Sequence, residues 1–219
     1  MNTTNKIAIL GGTFDPVHNG HILPAKHVAQ WLGLAQIYLM PANIPPHKSS
    51  VSASAKQRVD MVKLVCGDDE LFTCDEREIN RTTLSYTVDT LREIKQAHPD
   101  QIIFFIIGMD SLLTFLQWHQ WQVILTLCHL VVNCRPDYPL EELSPCHQAL
   151  LKKHQLEGET TPQSITQQAG YILFPPEIAC DISSTQIRNN IKNNKKCEHL
   201  LPNKVENYIR DNQLYCQSL

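Results

Sequence analysis

Short, unbroken apolar runs alternate along this chain with segments in which apolar residues return every three or four positions. Residues 6–10 hold Ile7-Ala8-Ile9-Leu10, a run of strand length. Residues 21–34 place Ile22, Ala25, Val28, Ala29 and Leu32 at helical spacing. Pro24 fits that helix only in or near its first turn, which puts the helix start close to residues 19–21. Strand-like runs recur at 36–40, 71–74, 101–107, 129–133 and 171–174. Helical patterns recur at 54–66, 87–98, 111–115, 121–127, 184–193 and 203–212. The stretch Ile102-Ile103-Phe104-Phe105-Ile106-Ile107 is apolar at every position, as a central strand must be when helices cover both faces of its sheet. Strands alternating with helices predict an α/β fold, a doubly wound parallel sheet.

Two stretches break the alternation. Residues 41–48 carry Pro41, Pro45 and Pro46 and read as a loop. Residues 138–168 are more polar and read as a variable insertion or mobile loop around one short helix near 147–154. A length of 219 residues suits one domain, 1–219, with a C-terminal helical part from about residue 184.

Composition narrows the function classes. The net charge of −3 comes with no basic stripe, so nothing points to nucleic acid or to an acidic membrane as partner. No apolar run reaches the roughly 18–20 residues of a membrane helix. The first six residues are polar and do not resemble a signal peptide. Eight scattered cysteines, none in a C-x-x-C pair, read as reduced thiols of a cytoplasmic protein, and no structural metal site is expected. Oligomeric state is not legible.

Candidate chemistry begins where the first strand ends. Gly11-Gly12-Thr13-Phe14-Asp15-Pro16-Val17-His18-Asn19-Gly20-His21 reads as a glycine turn opening into a helix. That is where an α/β sheet offers backbone N–H groups and a positive helix end to phosphate. Alone, the two glycines also fit a purely structural turn. Neither G-x-G-x-x-G nor G-x-x-x-x-G-K-[ST] is present, which argues against a dehydrogenase or a P-loop NTPase. His18 and His21, three apart, share one face of the helix start, and each imidazole can donate to a phosphate oxygen.

A second helix start lies at Ile182-Ser183-Ser184-Thr185-Gln186-Ile187-Arg188. Ser183 and Gln186 fit a capping box, so Ser183 is a candidate cap as well as a candidate ligand. Arg188 sits near the positive end of its helix, where a cation is unfavourable unless an anion joins it. Hydroxyls, leading N–H groups and an arginine together suit a polyphosphate.

The pair G-G-T-F-D-P-V-H-N-G-H and I-S-S-T-Q-I-R resembles the nucleotidyltransferase superfamily with H-x-G-H and I-S-S-T-x-[IV]-R motifs. Within it the chain is most similar to the bacterial nicotinate-nucleotide adenylyltransferases. Pro41-Ala42-Asn43 with Pro45-Pro46-His47-Lys48, Ser85-Tyr86-Thr87-Val88-Asp89-Thr90-Leu91, Ile107-Gly108-Met109-Asp110-Ser111 and Trp118-His119-Gln120-Trp121 match further segments of that family in order. Met109 replaces a more usual alanine, and His119 stands where an aromatic residue such as tyrosine is common.

The resemblance implies a Rossmann-like nucleotidyltransferase fold and adenylyl transfer from ATP to nicotinic acid mononucleotide, giving deamido-NAD and pyrophosphate, with Mg²⁺ accompanying ATP. It implies catalytic roles for His18, His21 and Arg188. It implies ATP and phosphate contacts from Gly11, Gly12, Thr13, Phe14, Gly108, Asp110, Ser183, Ser184 and Thr185. Asn43, Lys48, Thr87, Trp118 and His119 would meet the mononucleotide. On local grounds Asp110 and Thr87 could instead cap their helices, Trp118 could be core and Lys48 a solvated loop residue. A phosphopantetheine adenylyltransferase is disfavoured, because that family carries T-x-G-H where this chain has His18. A preference for the amide mononucleotide stays open from the residues alone, as does a binding protein with a decayed site, against which the intact His18, His21 and Arg188 argue.

Overall fold

Six parallel strands form one sheet in the order β3-β2-β1-β4-β5-β6 in a computed structural model that describes residues 5–43, 51–82, 84–134, 143–156, 161–178 and 180–216. The strands are β1 (Lys6–Gly12), β2 (Ile37–Pro41), β3 (Phe72–Cys74), β4 (Ile102–Gly108), β5 (His129–Asn133) and β6 (Ile172–Leu173). The helices are α1 (Asn19–Leu32), α2 (Ala55–Cys66), α3 (Thr87–Ala97), α4 (Met109–Thr114), α5 (Trp121–Leu127), α6 (Pro145–His154), α7 (Ser184–Lys192) and α8 (Asn203–Asp211). The sheet grows outward from β1 to one edge, then restarts at β4 on the other side of β1 and grows to the opposite edge. This is the doubly wound arrangement expected from the alternation of periods.

Side chains divide by parity between two cores. Ala8 and Leu10 of β1 and Phe104 and Ile106 of β4 face the helices α1, α2, α7 and α8. Ile7 and Ile9, with Ile103, Phe105 and Ile107, face α3, α4, α5 and α6. Both faces are dry, which is why β4 has no polar residue.

α1 starts at Asn19, so Pro24 falls one turn in and forgoes only the bond to the Gly20 carbonyl. Gly33, at φ 67°, closes the helix in the left-handed conformation and donates to Ala29 and Gln30. α4 begins at Met109, directly out of β4, two residues before the patterned segment. β6 is only two residues long, because Pro175 and Pro176 follow it and supply no ladder donors.

Within the predicted insertion at 138–168, the described parts are packed. Leu143 and Leu150 join one core and Ile165 the other. The Gln163 side chain donates to the Trp31 carbonyl. Residues 138–142 and 157–160 lie outside the described set. All eight cysteines are free thiols. Among the described residues no helix is long and apolar enough to cross a membrane.

Candidate active site

Between β1 and β4 the strand order reverses, and a doubly wound sheet opens a crevice at the carboxyl ends of such strands. A cavity of about 890 Å³ lies there. Gly11, Gly12 and Thr13 from the end of β1 and Gly108 from the end of β4 line it. A Cβ at Gly12 would crowd the Phe14 ring at 3.1 Å, whereas one at Gly108 would meet nothing within 4 Å. Gly108 therefore leaves open room at the mouth of β4.

His18 is the N-cap of α1 and His21 its third residue. Their rings lie face to face, with centroids 3.7 Å apart and planes at 31°. The His18 backbone N–H donates to His21 Nδ1 at 3.3 Å. In this arrangement His21 plays the part that Glu or Gln plays in a capping box. In a neutral His21 whose Nδ1 accepts this bond, the proton is carried on Nε2. Phe14, buried behind it, meets His21 edge-on with centroids 5.1 Å apart. Gly20 is squeezed from two sides, because a Cβ there would lie 2.7 Å from the Ile182 carbonyl and 2.9 Å from the His18 ring.

That contact brings the second motif against the first. Ser183 caps α7, its hydroxyl oxygen accepting from Gln186 N–H at 3.1 Å. Ser184 Oγ donates to the Pro16 carbonyl at 3.1 Å. Arg188 Nη1 donates to the Asp15 carbonyl at 2.7 Å, and Nη2 to Thr185 Oγ1 at 3.3 Å. Ser183, Ser184, Thr185 and Arg188 all line the cavity, and Arg188 is the sole arginine or lysine to do so among the described residues.

The cavity is lined as well by Asp110, Thr87, Trp118 and His119. Asp110 lies in the first turn of α4, whose N-cap is Gly108, so it does not cap that helix. Tyr86 holds the N-cap position of α3, leaving Thr87 as the first helical residue instead of the cap. His119 stacks on Tyr86 with centroids 4.7 Å apart. Trp118 packs edge-on against Phe115 while still lining the cavity, so it serves both core and site.

Two expected site residues stand elsewhere. Phe14 does not line the cavity; its side chain is core, packed beneath Gly12 and against His21. Asn43 does not line it either, and its amide donates to the Arg81 carbonyl at 2.9 Å. Lys48 lies outside the described residues.

Other residues that shape the site escaped the sequence reading. Arg58 is only 1% exposed, and its guanidinium donates to the carbonyls of Thr13 at 2.7 Å, Ala42 at 2.6 Å and Asn43 at 3.3 Å. It ties the β1 turn to the loop after β2. Its sequence signal was its place on the face shared by Val62 and Val65, where a cation must find buried partners. Glu78 lines the cavity although nearly buried. Burial pushes its carboxyl above the usual range, and the Thr90 hydroxyl, donating at 2.7 Å, opposes that rise.

One cavity thus carries a paired-histidine helix start and a hydroxyl-and-arginine helix start at the reversal of the sheet, an arrangement suited to a polyphosphate. The family model described as Cytidylyltransferase-like matches residues 9–190. The chain is 43% identical over 210 residues to a probable nicotinate-nucleotide adenylyltransferase of Citrobacter koseri, covering 95% of this chain and 97% of that protein. It is 42% identical over 217 residues to one of Klebsiella pneumoniae, covering 99% and 100%. The chain belongs to the nicotinate-nucleotide adenylyltransferase family. A Plasmodium falciparum nicotinic acid mononucleotide adenylyltransferase, solved in complex with NaAD, shares the fold at a TM-score of 0.73 and 16% identity, covering 96% of this chain and 97% of that one.

Proposed function

We infer that this chain transfers the adenylyl group of ATP to nicotinic acid mononucleotide, releasing pyrophosphate and forming deamido-NAD for NAD biosynthesis. The observation that carries the reading is the meeting of the His18–His21 pair and the Ser184–Thr185–Arg188 turn on one cavity, held together at the Gly20–Ile182 contact.

The reaction suits such a site. A 5′-phosphate oxygen of the mononucleotide attacks the α-phosphorus of ATP, the bond from that phosphorus to the bridging oxygen breaks, and pyrophosphate leaves with the electron pair. The nucleophile is already an anion, so no strong general base is needed. Catalysis then rests on positioning and on donors aimed at developing charge. His21 Nε2–H and His18 serve the α-phosphate region, with Gly11, Gly12 and Thr13 beneath it. Ser183, Ser184, Thr185 and Arg188 hold the β- and γ-phosphates and the departing pyrophosphate.

Gly108 and Asp110 suit the adenosine ribose, a carboxylate being a good acceptor for hydroxyls. Trp118 and His119 bound the pyridine ring, and Thr87 opens α3, whose positive end favours a carboxylate over a carboxamide. Asn43 supports this end through the Arg81 carbonyl, and Lys48 would draw in the anionic mononucleotide.

Mg²⁺ fits this scheme as an ion carried by ATP. A hard cation of this kind is held largely by phosphate oxygens and water and needs few ligands from the chain. Bound there, it would neutralise charge on the polyphosphate.

Labelled ATP tests the bond that breaks. With phosphorus-32 at the α position, label is expected in the dinucleotide; at the γ position, in pyrophosphate. Label from the γ position in the nucleotide product would replace adenylyl transfer with phosphoryl or pyrophosphoryl transfer.

A further inference from the structure

A hydroxyl beyond the last helix reaches the phosphate end of the cavity through one buried carboxylate. After α8 the chain folds back, with Gln213 at φ 51° and Tyr215 at φ 63°. Non-glycine residues in that region are held there by surrounding contacts. The contact made by Tyr215 is a hydrogen bond, its hydroxyl donating to Asp15 Oδ1 at 2.8 Å. The base of this tail is itself anchored, since Tyr208 of α8 donates to Asp60 of α2 at 3.0 Å. Burial and the neighbouring carboxylate push the Tyr215 phenol far up, so it stays a donor.

Asp15 is 4% exposed. Its carboxylate also accepts from Ser52 N–H at 2.8 Å and Ala53 N–H at 3.0 Å. Its backbone carbonyl takes the Arg188 Nη1 bond at 2.7 Å, and Oδ2 stands 4.0 Å from the same nitrogen. Neither Asp15 nor Tyr215 lines the cavity. A carboxylate this close to Arg188 can act in two ways. Free to turn, it is a rival anion that draws the guanidinium off a phosphate. Held by three donors, two on Oδ1 and one on Oδ2, it is a counter-charge of fixed orientation, and the other N–H groups of Arg188 are left to a ligand.

We propose that Tyr215 is a positioning residue for phosphate binding, fixing the orientation of Asp15 so that Arg188 stays turned toward the polyphosphate of ATP. The proposal rests on the reading of Arg188 as a polyphosphate ligand. Tyr215 touches no substrate in this scheme and acts only through Asp15.

A double-mutant cycle on Tyr215→Phe and Arg188→Ala tests it, read in KM for ATP and in inhibition by inorganic pyrophosphate. Tyr215→Phe is expected to raise both constants about tenfold, the scale of one hydrogen bond to a charged group. KM for the mononucleotide is expected to stay within about twofold. In the Arg188→Ala background the same change is expected to add nothing, because the two act in series. A residue that merely ties down the tail would add equally in both backgrounds; that result, or no effect of Tyr215→Phe in the wild type, overturns the proposal. Arg188→Ala with an unchanged KM for ATP overturns the parent reading of Arg188 instead. Should Tyr215→Phe melt early, the cycle is run below its melting temperature, with the same non-additivity expected.

Discussion

Gly20 lies so close to Ile182 that the first atom of any side chain would sit 2.7 Å from the Ile182 carbonyl. Here the histidine helix and the entry to α7 touch, so the contact helps to set the spacing between the His18–His21 pair and the Ser184–Arg188 turn. Gly20→Ala is expected to leave the sheet intact and to lower kcat/KM by about a hundredfold, because misplacement of a catalytic group by about 1 Å is that costly. Steady-state kinetics beside a thermal melt check this. A folded Gly20→Ala protein with normal turnover would break the link between that contact and catalysis.

His21→Ala is expected to keep the fold and to lower kcat by about a hundredfold to a thousandfold, the usual loss when one donor to a developing oxyanion is removed. His21→Gln should recover part of it, since an amide can donate where Nε2–H did. Single-turnover rates separate this chemical step from product release.

Arg58 serves three carbonyls from two nitrogens of one planar fork, a spread that a lysine does not reproduce. Its ammonium is a compact point charge without the planar fork of donors. Arg58→Lys is expected to cost about 3 kcal/mol of stability, the scale of breaking a buried charged network. It should also raise KM for both substrates, because the Thr13 turn and the loop holding Asn43 lose their common tie. Urea unfolding and initial rates measure the two effects.

His129 offers a pH test of the fold. It is fully buried in β5, its Nε2–H donating to the Gln167 carbonyl at 2.9 Å and its Nδ1 accepting from Tyr171 N–H at 3.1 Å. Burial lowers its pKa to about 4 from the ordinary 6.5 of a histidine. The folded state then binds fewer protons than the unfolded state between those values. The stability is complete above the unfolded value and is lost as pH falls toward the folded one, by about 3 kcal/mol in all. Unfolding free energies at pH 7, 5.5 and 4 should show that slope. A His129→Gln variant, less stable at pH 7, should lack this component of it.

The sheet was legible because its pattern is local. The apolar run at 102–107 and the helical spacing at 21–34 each declare their element within one turn or strand. The start of α4 was not, since Gly108 caps it without a side-chain bond and Met109 carries no start signal. His18, His21 and the Ile182–Arg188 segment were visible because each motif is short and contiguous. The hub that joins them was not: Asp15 reaches Ser52, Arg188 and Tyr215 across 37, 173 and 200 residues, and nothing near position 15 records those partners. Asn43, expected at the ligand, also makes a bond that no local signal records, its amide donating to the Arg81 carbonyl.

The most direct test of the account is pyrophosphate release from ATP and Mg²⁺ with nicotinic acid mononucleotide, run beside its amide counterpart. The account predicts release with the acid, and a kcat/KM for the acid at least about tenfold above that for the amide. Equal or reversed preference would contradict the assignment of a carboxylate to the α3 end of the cavity. No release with either nucleotide would contradict adenylyl transfer to a pyridine mononucleotide altogether.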